Sequence, residues 1–580
     1  MKLFLNTYQI WTSLLLLAMI TACKSEEVKQ KSNTFSIGIP SDPEKLHPAF
    51  NPKSKAREIF QNIFLPLSDY DPETLTLIPI LVETIPEGRF IDKETVAYDI
   101  VIKENATWSD GSPLTAYDLT FALKVMTHPQ SQTAAWKSFL SSIIDIKIDP
   151  KSDKSLTVFC ESSSMHSQEV ALTLYPFQES RYDPDHYLRA YSIKDWNIAA
   201  DDAEAFGGIT QITDVITAFN HPDTYRKNIS HAGRYKVNDW VSNQYISLVK
   251  VANHWADSDQ TNPYLHAGSD TILFKIIEDE NSLATLLKSG GIDMTMYLSP
   301  QQYLDLSNDP NLGSNFSFHR IETLKIAFLG LNNRDPELQD VAVRKALSHS
   351  MNVGALLEAE ENGLGTEVSI LVHPSKRYYP HHLPPRKYDI DKAINLLETA
   401  GWKDTNGDGI RDKTIDGKFE ELVFDFYMSG SQLTQTIALL LQQAGEKVGF
   451  ELNVIQKNAR AYIKDNVITH HYEIAALSDS YNEPDADPYI KWHSESTTQA
   501  GRNRSGFTTP ELDSIIALIR KENDSDKREE HFKVFCEILY DGTPVIPLFA
   551  PVNIIAVDNR YRGVCTSKRP GYMANTFTLQ

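Results

Sequence analysis

Between Thr95 and Met126 the apolar pattern changes period, and that change restricts the chain to folds in which short strands and amphipathic helices alternate. Residues 95–102, TVAYDIVI, are rich in β-branched and aromatic side chains and predict a strand. Trp108-Ser109-Asp110-Gly111-Ser112-Pro113 predicts a turn from its Asp-Gly step and its proline. Thr115 and Asp118 have the spacing of a capping box, and Leu119, Ala122, Leu123 and Met126 then form one apolar stripe of a helix. Strand patterns recur at 35–39, 272–277, 326–331 and 422–426, and helical patterns at 282–288 and 391–400. The predicted class is therefore α/β or α+β. A chain of 580 residues is too long for one core and predicts about two to four lobes.

Hydrophobic residues make up 41% and charged residues 23% of the chain, an ordinary globular mixture. The net charge of -21, from 77 acids against 56 bases, speaks against nucleic acid as a partner, because no run of Lys and Arg supplies a basic patch. Residues 1–22 contain one base, Lys2, then an apolar run that includes 14–20, then Thr21-Ala22 before Cys23. That is the pattern of an export signal, too short to be retained comfortably as a membrane-spanning helix. Residues 23–33 are polar and predict a flexible tether. Cys160, Cys536 and Cys565 leave an odd number, so at least one stays unpaired; a Cys536–Cys565 bridge is one arithmetic option that the sequence does not decide.

The search for chemistry returns no catalytic signature: His-Glu-x-x-His, Gly-x-Ser-x-Gly and the phosphate-cradling Gly-x-x-x-x-Gly-Lys are all missing. The stretch 404–412, DTNGDGIRD, places side-chain oxygens at the first, third and fifth positions of a calcium loop and glycine at the sixth. The twelfth position is Ile415 where a bidentate carboxylate belongs, so its oxygens are read as bonding their own turn. His381-His382 and His470-His471 are read as solvated pairs, since adjacent side chains diverge and rarely share one ion. Neither a metal nor a cofactor is expected.

Ile20-Thr21-Ala22-Cys23 resembles the lipobox of bacterial lipoproteins, which implies that Cys23 becomes the lipid-modified first residue and holds the protein at a membrane surface. The alternative is a cleaved signal with an incidental cysteine. Further motifs then fall in one order along the chain. Residues 70–75, YDPETL, with Pro79 and Leu81, the run 108–121, WSDGSPLTAYDLTF, then Gly233-Arg234-Tyr235-Lys236-Val237 with Trp240, then Val343-Arg344-Lys345-Ala346-Leu347, and finally Lys392-Ala393 through Leu396-Leu397 and Ala400-Gly401-Trp402 into DTNGDGIRD resemble the extracellular solute-binding proteins of peptide importers, the oligopeptide- and dipeptide-binding family 5. Arg234 stands where that family has proline.

The resemblance implies an α/β fold of the periplasmic-binding-protein type II, with two large lobes, a smaller inserted lobe and a hinge. Lobe I is expected at 34–72, 232–300 and 540–580, lobe II at 73–231 and lobe III at 301–539. It implies a monomer that encloses a peptide between its lobes and delivers it to the membrane subunits of an ABC importer. The expected location is the cell envelope, facing the periplasm or exterior, with the outer membrane favoured if the cell has one. It also implies site residues. Tyr481-Asn482-Glu483-Pro484 matches the family's YNEP segment, before which an aspartate holds the ligand's ammonium; here Ser480 stands at that position and Asp479 one residue earlier. Ala476 and Ser478 fall where relatives offer backbone groups to ligand, and Trp136 falls near a ligand-facing aromatic, with core packing as its other role. Two alternatives stay open. One is the same fold holding a nickel complex, haem or an oligosaccharide; the other is a secreted hydrolase with Asp485 and Asp487 as its carboxylate pair.

Overall fold

The computed structural model describes residues 33–50, 54–133, 136–162, 164–200, 206, 209–259, 261–481, 487–498, 501–522 and 524–580. The segment 1–22 expected to be a signal and Cys23, together with Asn482, Glu483, Pro484 and Asp485, lie outside the described residues.

Three main sheets organise the chain, each with its own buried cluster. A seven-stranded sheet runs in the order Phe316–Glu322, Val552–Asp558, Met294–Thr295, Thr34–Ile39, Thr271–Ile276, Tyr245–Lys250 and Tyr235–Val241. A six-stranded sheet runs Thr366–Glu367, Val545–Ala550, Lys325–Leu331, Ile474–Ser480, Val423–Met428 and Glu451–Gln456. Between the first strand of the seven-stranded sheet and its strand Tyr235–Val241 the chain makes a smaller lobe. Its antiparallel four-stranded sheet is backed by the helices Ala116–Thr127 and Thr210–Asn220.

Two stretches cross the expected lobe boundaries. Phe316–Glu322, expected with lobe III, pairs along its whole length with Val552–Asp558 in the first sheet, and Val545–Ala550, expected with lobe I, pairs with Lys325–Leu331 in the second. The boundary is a matter of which strands pair, and pairing between segments more than 200 residues apart leaves no mark on either segment alone. The chain therefore passes between these sheets at Thr323-Leu324 and again at Pro551. These crossings are bonded together: the Thr323 N–H and Oγ1 both donate to the Pro551 carbonyl, at 2.9 and 2.8 Å, and His373 Nε2 lies 2.7 Å from the Thr323 carbonyl.

The recognisable motifs are architectural. Asp118 Oδ2 accepts from the Thr115 N–H at 2.8 Å and from Trp108 Nε1 at 3.2 Å, and its Oδ1 accepts from the Glu179 N–H at 2.8 Å. One buried carboxylate thus closes the turn, caps the helix Ala116–Thr127 and fixes a later segment; burial raises it to about 6 against those hydrogen bonds. Buried Lys154 reaches under the same turn to the carbonyls of Leu114 and Ala106, at 2.7 and 3.2 Å. In DTNGDGIRD, Asp404 accepts from the N–H groups of Gly407 and Gly409, Asn406 from Asp408, and Asp408 from Ile410. Gly407 and Gly409 sit at φ of +84° and +91°, where a Cβ would be strained, so the stretch is a self-bonded turn. It leads into a hairpin, Asp412–Ile415 with Lys418–Glu421, that the pattern did not predict ahead of the strand Val423–Met428.

Cys160, Cys536 and Cys565 are free thiols, pushed up to about 12 by burial. Cys536 and Cys565 pack into different clusters, in the helix Ser525–Gly542 and in the C-terminal hairpin.

Glu58, in the helix Ser54–Phe60, ties that hairpin to the first lobe. It accepts from Tyr572 Oη at 2.7 Å and from Tyr297 Oη, and burial raises its carboxyl to about 7. The folded chain holds a proton that the unfolded chain releases near 4.5, so this contribution is whole below pH 4.5 and is lost as pH rises through about 7. Denaturant unfolding across that window should show a decline of about 3 kcal/mol in the native protein that Glu58→Gln lacks.

Candidate functional site

The strand Ile474–Ser480 carries four of the predicted site residues, and its hydrogen bonding shows what each can offer. On one side it pairs antiparallel with Lys325–Leu331 along its whole length. The Tyr481 N–H donates to the Leu324 carbonyl and the Asn332 N–H to the Glu473 carbonyl, so the odd-numbered residues point their backbone groups toward this neighbour. Ala476, Ser478 and Ser480 must then point theirs to the other side. There Val423–Met428 pairs only as far as Phe426 with Ile474 and Tyr427 with Ala475. Tyr462 Oη takes the Ala476 carbonyl at 2.6 Å, and beyond it no described strand pairs with Ser478 or Ser480. Two residues thus present N–H and C=O groups on an open strand edge, and both side chains are exposed.

The ends of this edge are charged. Asp479, on the opposite face from Ser478 and Ser480, is ion-paired to Lys491. Lys491 Nζ also lies 5.0 Å from the centroid of the Tyr481 ring. Tyr481 itself is buried, its Oη donating to the Leu371 carbonyl at 2.8 Å; burial, with the Asp479 carboxylate beside it, holds its phenol well above the usual range. Arg569 donates to the Tyr481 carbonyl from a loop between the strands Tyr561–Cys565 and Tyr572–Leu579. That loop is anchored: buried Lys568 pairs with Asp69 at 3.2 Å, and Thr566 Oγ1 donates to the Pro72 carbonyl. A loop of the first lobe therefore meets the end of the strand Ile474–Ser480, at a carbonyl that the same alternation turns toward the Lys325–Leu331 side.

A cleft of about 570 Å³ lies beside this meeting point, between the hairpin at 70–77, Met165 and Glu169 of the small lobe, and Ser375, Tyr378 and Glu529 of the third. Ser567, two residues from Arg569, borders it. The size and the mixed polar lining suit a small ligand.

Among the described residues Trp136 has no contact with this edge. Its Nε1 donates to the Ala49 carbonyl at 3.0 Å and its ring meets Phe139 edge-on, contacts that belong to packing between the small lobe and the loop before Ser54–Phe60. Of the proposed carboxylate pair, Asp487 is paired with Arg520 at 3.2 Å. Among the described residues no group of three His, Cys, Asp or Glu side chains gathers to hold a metal; His382 faces Glu537 and His471 faces Thr469. No described helix is long and apolar enough to cross a membrane. Sequence reasoning missed Lys491 and Arg569. The run Ser567-Lys568-Arg569-Pro570, two adjacent cations ahead of the last strand, was the available signal.

The model of bacterial extracellular solute-binding proteins, family 5, middle region, matches residues 76–501. The oligopeptide-binding protein AppA of Bacillus subtilis is 25% identical over 570 residues, covering 94% of this chain and 91% of AppA. Its solved structure in complex with a nonapeptide superposes with a TM-score of 0.64, at 21% identity, over 94% of this chain and 99% of that one. HbpA2 of Haemophilus parasuis gives a TM-score of 0.74 at 18% identity, over 94% and 100% of the two chains. The nickel-binding periplasmic protein of Escherichia coli is 24% identical over 319 residues, covering 53% of this chain and 56% of that protein.

Proposed function

Since the chain belongs to the bacterial extracellular solute-binding proteins of family 5, we propose that it captures peptides between its lobes and hands them to the membrane subunits of an ABC importer. The open edge at Ser478 and Ser480 carries this reading. An extended peptide can add itself there as a further strand, so that affinity comes from main-chain bonds every peptide can make, and water in the adjoining cleft tolerates different side chains. The role proposed is binding rather than turnover, the role the family of solute-binding proteins supports. The protein acts as a monomer held to the envelope through lipidated Cys23, on the periplasmic or outer face.

The first test is native mass spectrometry of the protein purified without denaturation, followed by release of whatever it carries. A heterogeneous set of short peptides is the expected result; a single non-peptide mass or a metal complex would overturn the peptide reading. The second outcome has one observation in its favour, that Asp479 is already neutralised by Lys491.

Within the peptide reading, Asp479 receives the ligand's ammonium by exchanging Lys491 for it. Asp479→Ala should then weaken peptides with a free amino terminus by about tenfold or more, and Lys491→Ala should tighten them, while acetylated peptides respond to neither. Titration calorimetry on the four protein and peptide combinations checks this. Equal affinity of Asp479→Ala and the native protein for free-amine peptides removes Asp479 from the site.

A further inference from the structure

We infer that the segment 368–379 is a strap that ties the wall of the cleft to the crossings between the two large sheets, with buried His373 as the positioning residue that joins its two ends. This rests on the peptide-capture reading and extends it to the conformational step that follows docking.

Any rotation of one sheet against the other bends the chain at Thr323-Leu324 and at Pro551, where it passes between them. The segment 368–379 forms neither strand nor helix, and its bonds lead to both crossings. At its start the Val368 N–H donates to the carbonyl of Leu548, in the strand that runs up to Pro551, at 3.2 Å. In its middle His373 meets the Thr323 carbonyl, and the Leu371 carbonyl accepts from Tyr481 Oη at the end of the open-edge strand. The Ser369 N–H donates to Tyr379 Oη at 3.0 Å, which closes the segment on itself. Ser375, Lys376 and Tyr378 then line the cleft of about 570 Å³. The same short segment therefore touches the ligand space and the crossings.

His373 is fully buried and both of its ring nitrogens are used, which fixes the form of the ring. The Ser375 N–H can only donate, and it reaches Nδ1 at 3.2 Å, with Ser375 Oγ 2.8 Å from the same nitrogen. The ring hydrogen therefore sits on Nε2 and is given to the Thr323 carbonyl at 2.7 Å. Held so, the neutral imidazole is a rigid spacer between the cleft wall and a crossing. A ligand that settles against Ser375 and Tyr378 fixes one end of it, and the other end fixes Thr323, whose N–H and Oγ1 hold Pro551. A second proton on the ring would face the Ser375 N–H, so protonation breaks the link to the cleft wall and spares the link to Thr323. Burial holds the ring below its usual 6.5, against the Thr323 carbonyl and Glu322, which favour the proton; Lys376 opposes it. Glu322 also accepts from Thr366 Oγ1 at 2.7 Å, the Tyr481 ring 6.0 Å away is a neutral phenol, and residues 547–551, PLFAP, bring no ionisable group. Opening frees the ring from Ser375 and lets it return toward 6.5, so the strap's contribution to closure is whole above pH 6.5 and is lost as pH falls below it.

The test follows a nested series of alanine-rich tetra- to nonapeptides by stopped flow, on the native protein and on His373→Phe, which keeps a ring and removes both of its bonds. The variant should release peptide about tenfold faster and take it up within about twofold of the native rate, because the strap acts after docking. Small-angle scattering should show the native protein shrinking on saturation with peptide and the variant shrinking less. From about pH 8 to about pH 5, release from the native protein should accelerate once the pH is below 6.5, a rise that the variant lacks and that a residue serving only to pack the core would not produce. Native release rates in a His373→Phe that is folded by circular dichroism, or one pH profile common to both proteins, overturns the strap and leaves peptide capture intact. Should the variant not fold, the native profile decides, and a flat one overturns the strap. Failure of every peptide to bind the native protein overturns peptide capture, and the strap with it.

Discussion

Ser478→Pro is expected to weaken peptide binding by about a hundredfold or more, near 3 kcal/mol, while the protein stays folded. The alternation of the ladder sends the Ser478 N–H away from Lys325–Leu331 and onto the open edge, so proline removes no bond that the sheet uses. On the ligand side it removes a donor and puts a ring where a peptide backbone would approach. Both losses fall on main-chain recognition, so every peptide should be affected alike whatever its sequence. Ser478→Ala, which keeps the N–H and trims an exposed side chain, should bind within about twofold of the native protein. Calorimetry against the peptides released from the native protein checks both variants, with circular dichroism to confirm that the sheet survives. Native affinity in Ser478→Pro would move the ligand off this edge.

The largest stability effect is expected at Arg344→Met, about 3 to 5 kcal/mol, read from the midpoint of denaturant unfolding. Arg344 is 4% exposed and spends its guanidinium on backbone carbonyls alone: Leu338 at 2.6 Å and Gln339 at 2.9 Å on one side, Gly542 at 2.7 Å and Thr543 at 3.1 Å on the other. Gly542 ends the helix Ser525–Gly542, where unpaired carbonyls and the helix dipole both favour a cation. Burial lowers the guanidinium to about 10, still charged at neutral pH. Methionine restores the packing volume and leaves the carbonyls buried without donors. Arg344→Lys should recover only part of the loss, because one ammonium cannot span both sets of carbonyls. An unchanged midpoint in Arg344→Met would show that water satisfies these carbonyls.

Arg344 also illustrates what made the chain legible. It sits in the run Val343-Arg344-Lys345-Ala346-Leu347, and like Asp118 in the run 108–121 it belongs to a motif that reveals the family and whose bonds are spent on the fold. Such motifs are readable because their bonds close locally or cap an element whose pattern lies next to them: Thr115 with Asp118, Asp404 with Gly407. The strands and helices followed from period and capping for the same reason, as at Thr95–Val101, Ala116–Thr127 and Ile390–Thr399.

The site was named in part and understood less. Ala476, Ser478, Asp479 and Ser480 were placed on one strand, and the alternation that separates Asp479 from Ser480 follows from extended backbone. That Ser478 and Ser480 have an open side depends on Val423–Met428 stopping at Tyr427 and on Tyr462 closing Ala476, contacts between segments that the sequence does not connect. Asp479 looked like a free carboxylate until the fold set Lys491 against it, and Arg569 came to Tyr481 across 88 positions. What the sequence by itself determined was the kind of element each stretch forms and the family those elements belong to, because capping, turn chemistry and periodicity act over a few residues. Which strand edge stays open and which charges are already neutralised were decided only by the tertiary structure, because strand pairing and ion pairing join groups whose separation along the chain carries no information about their distance in space.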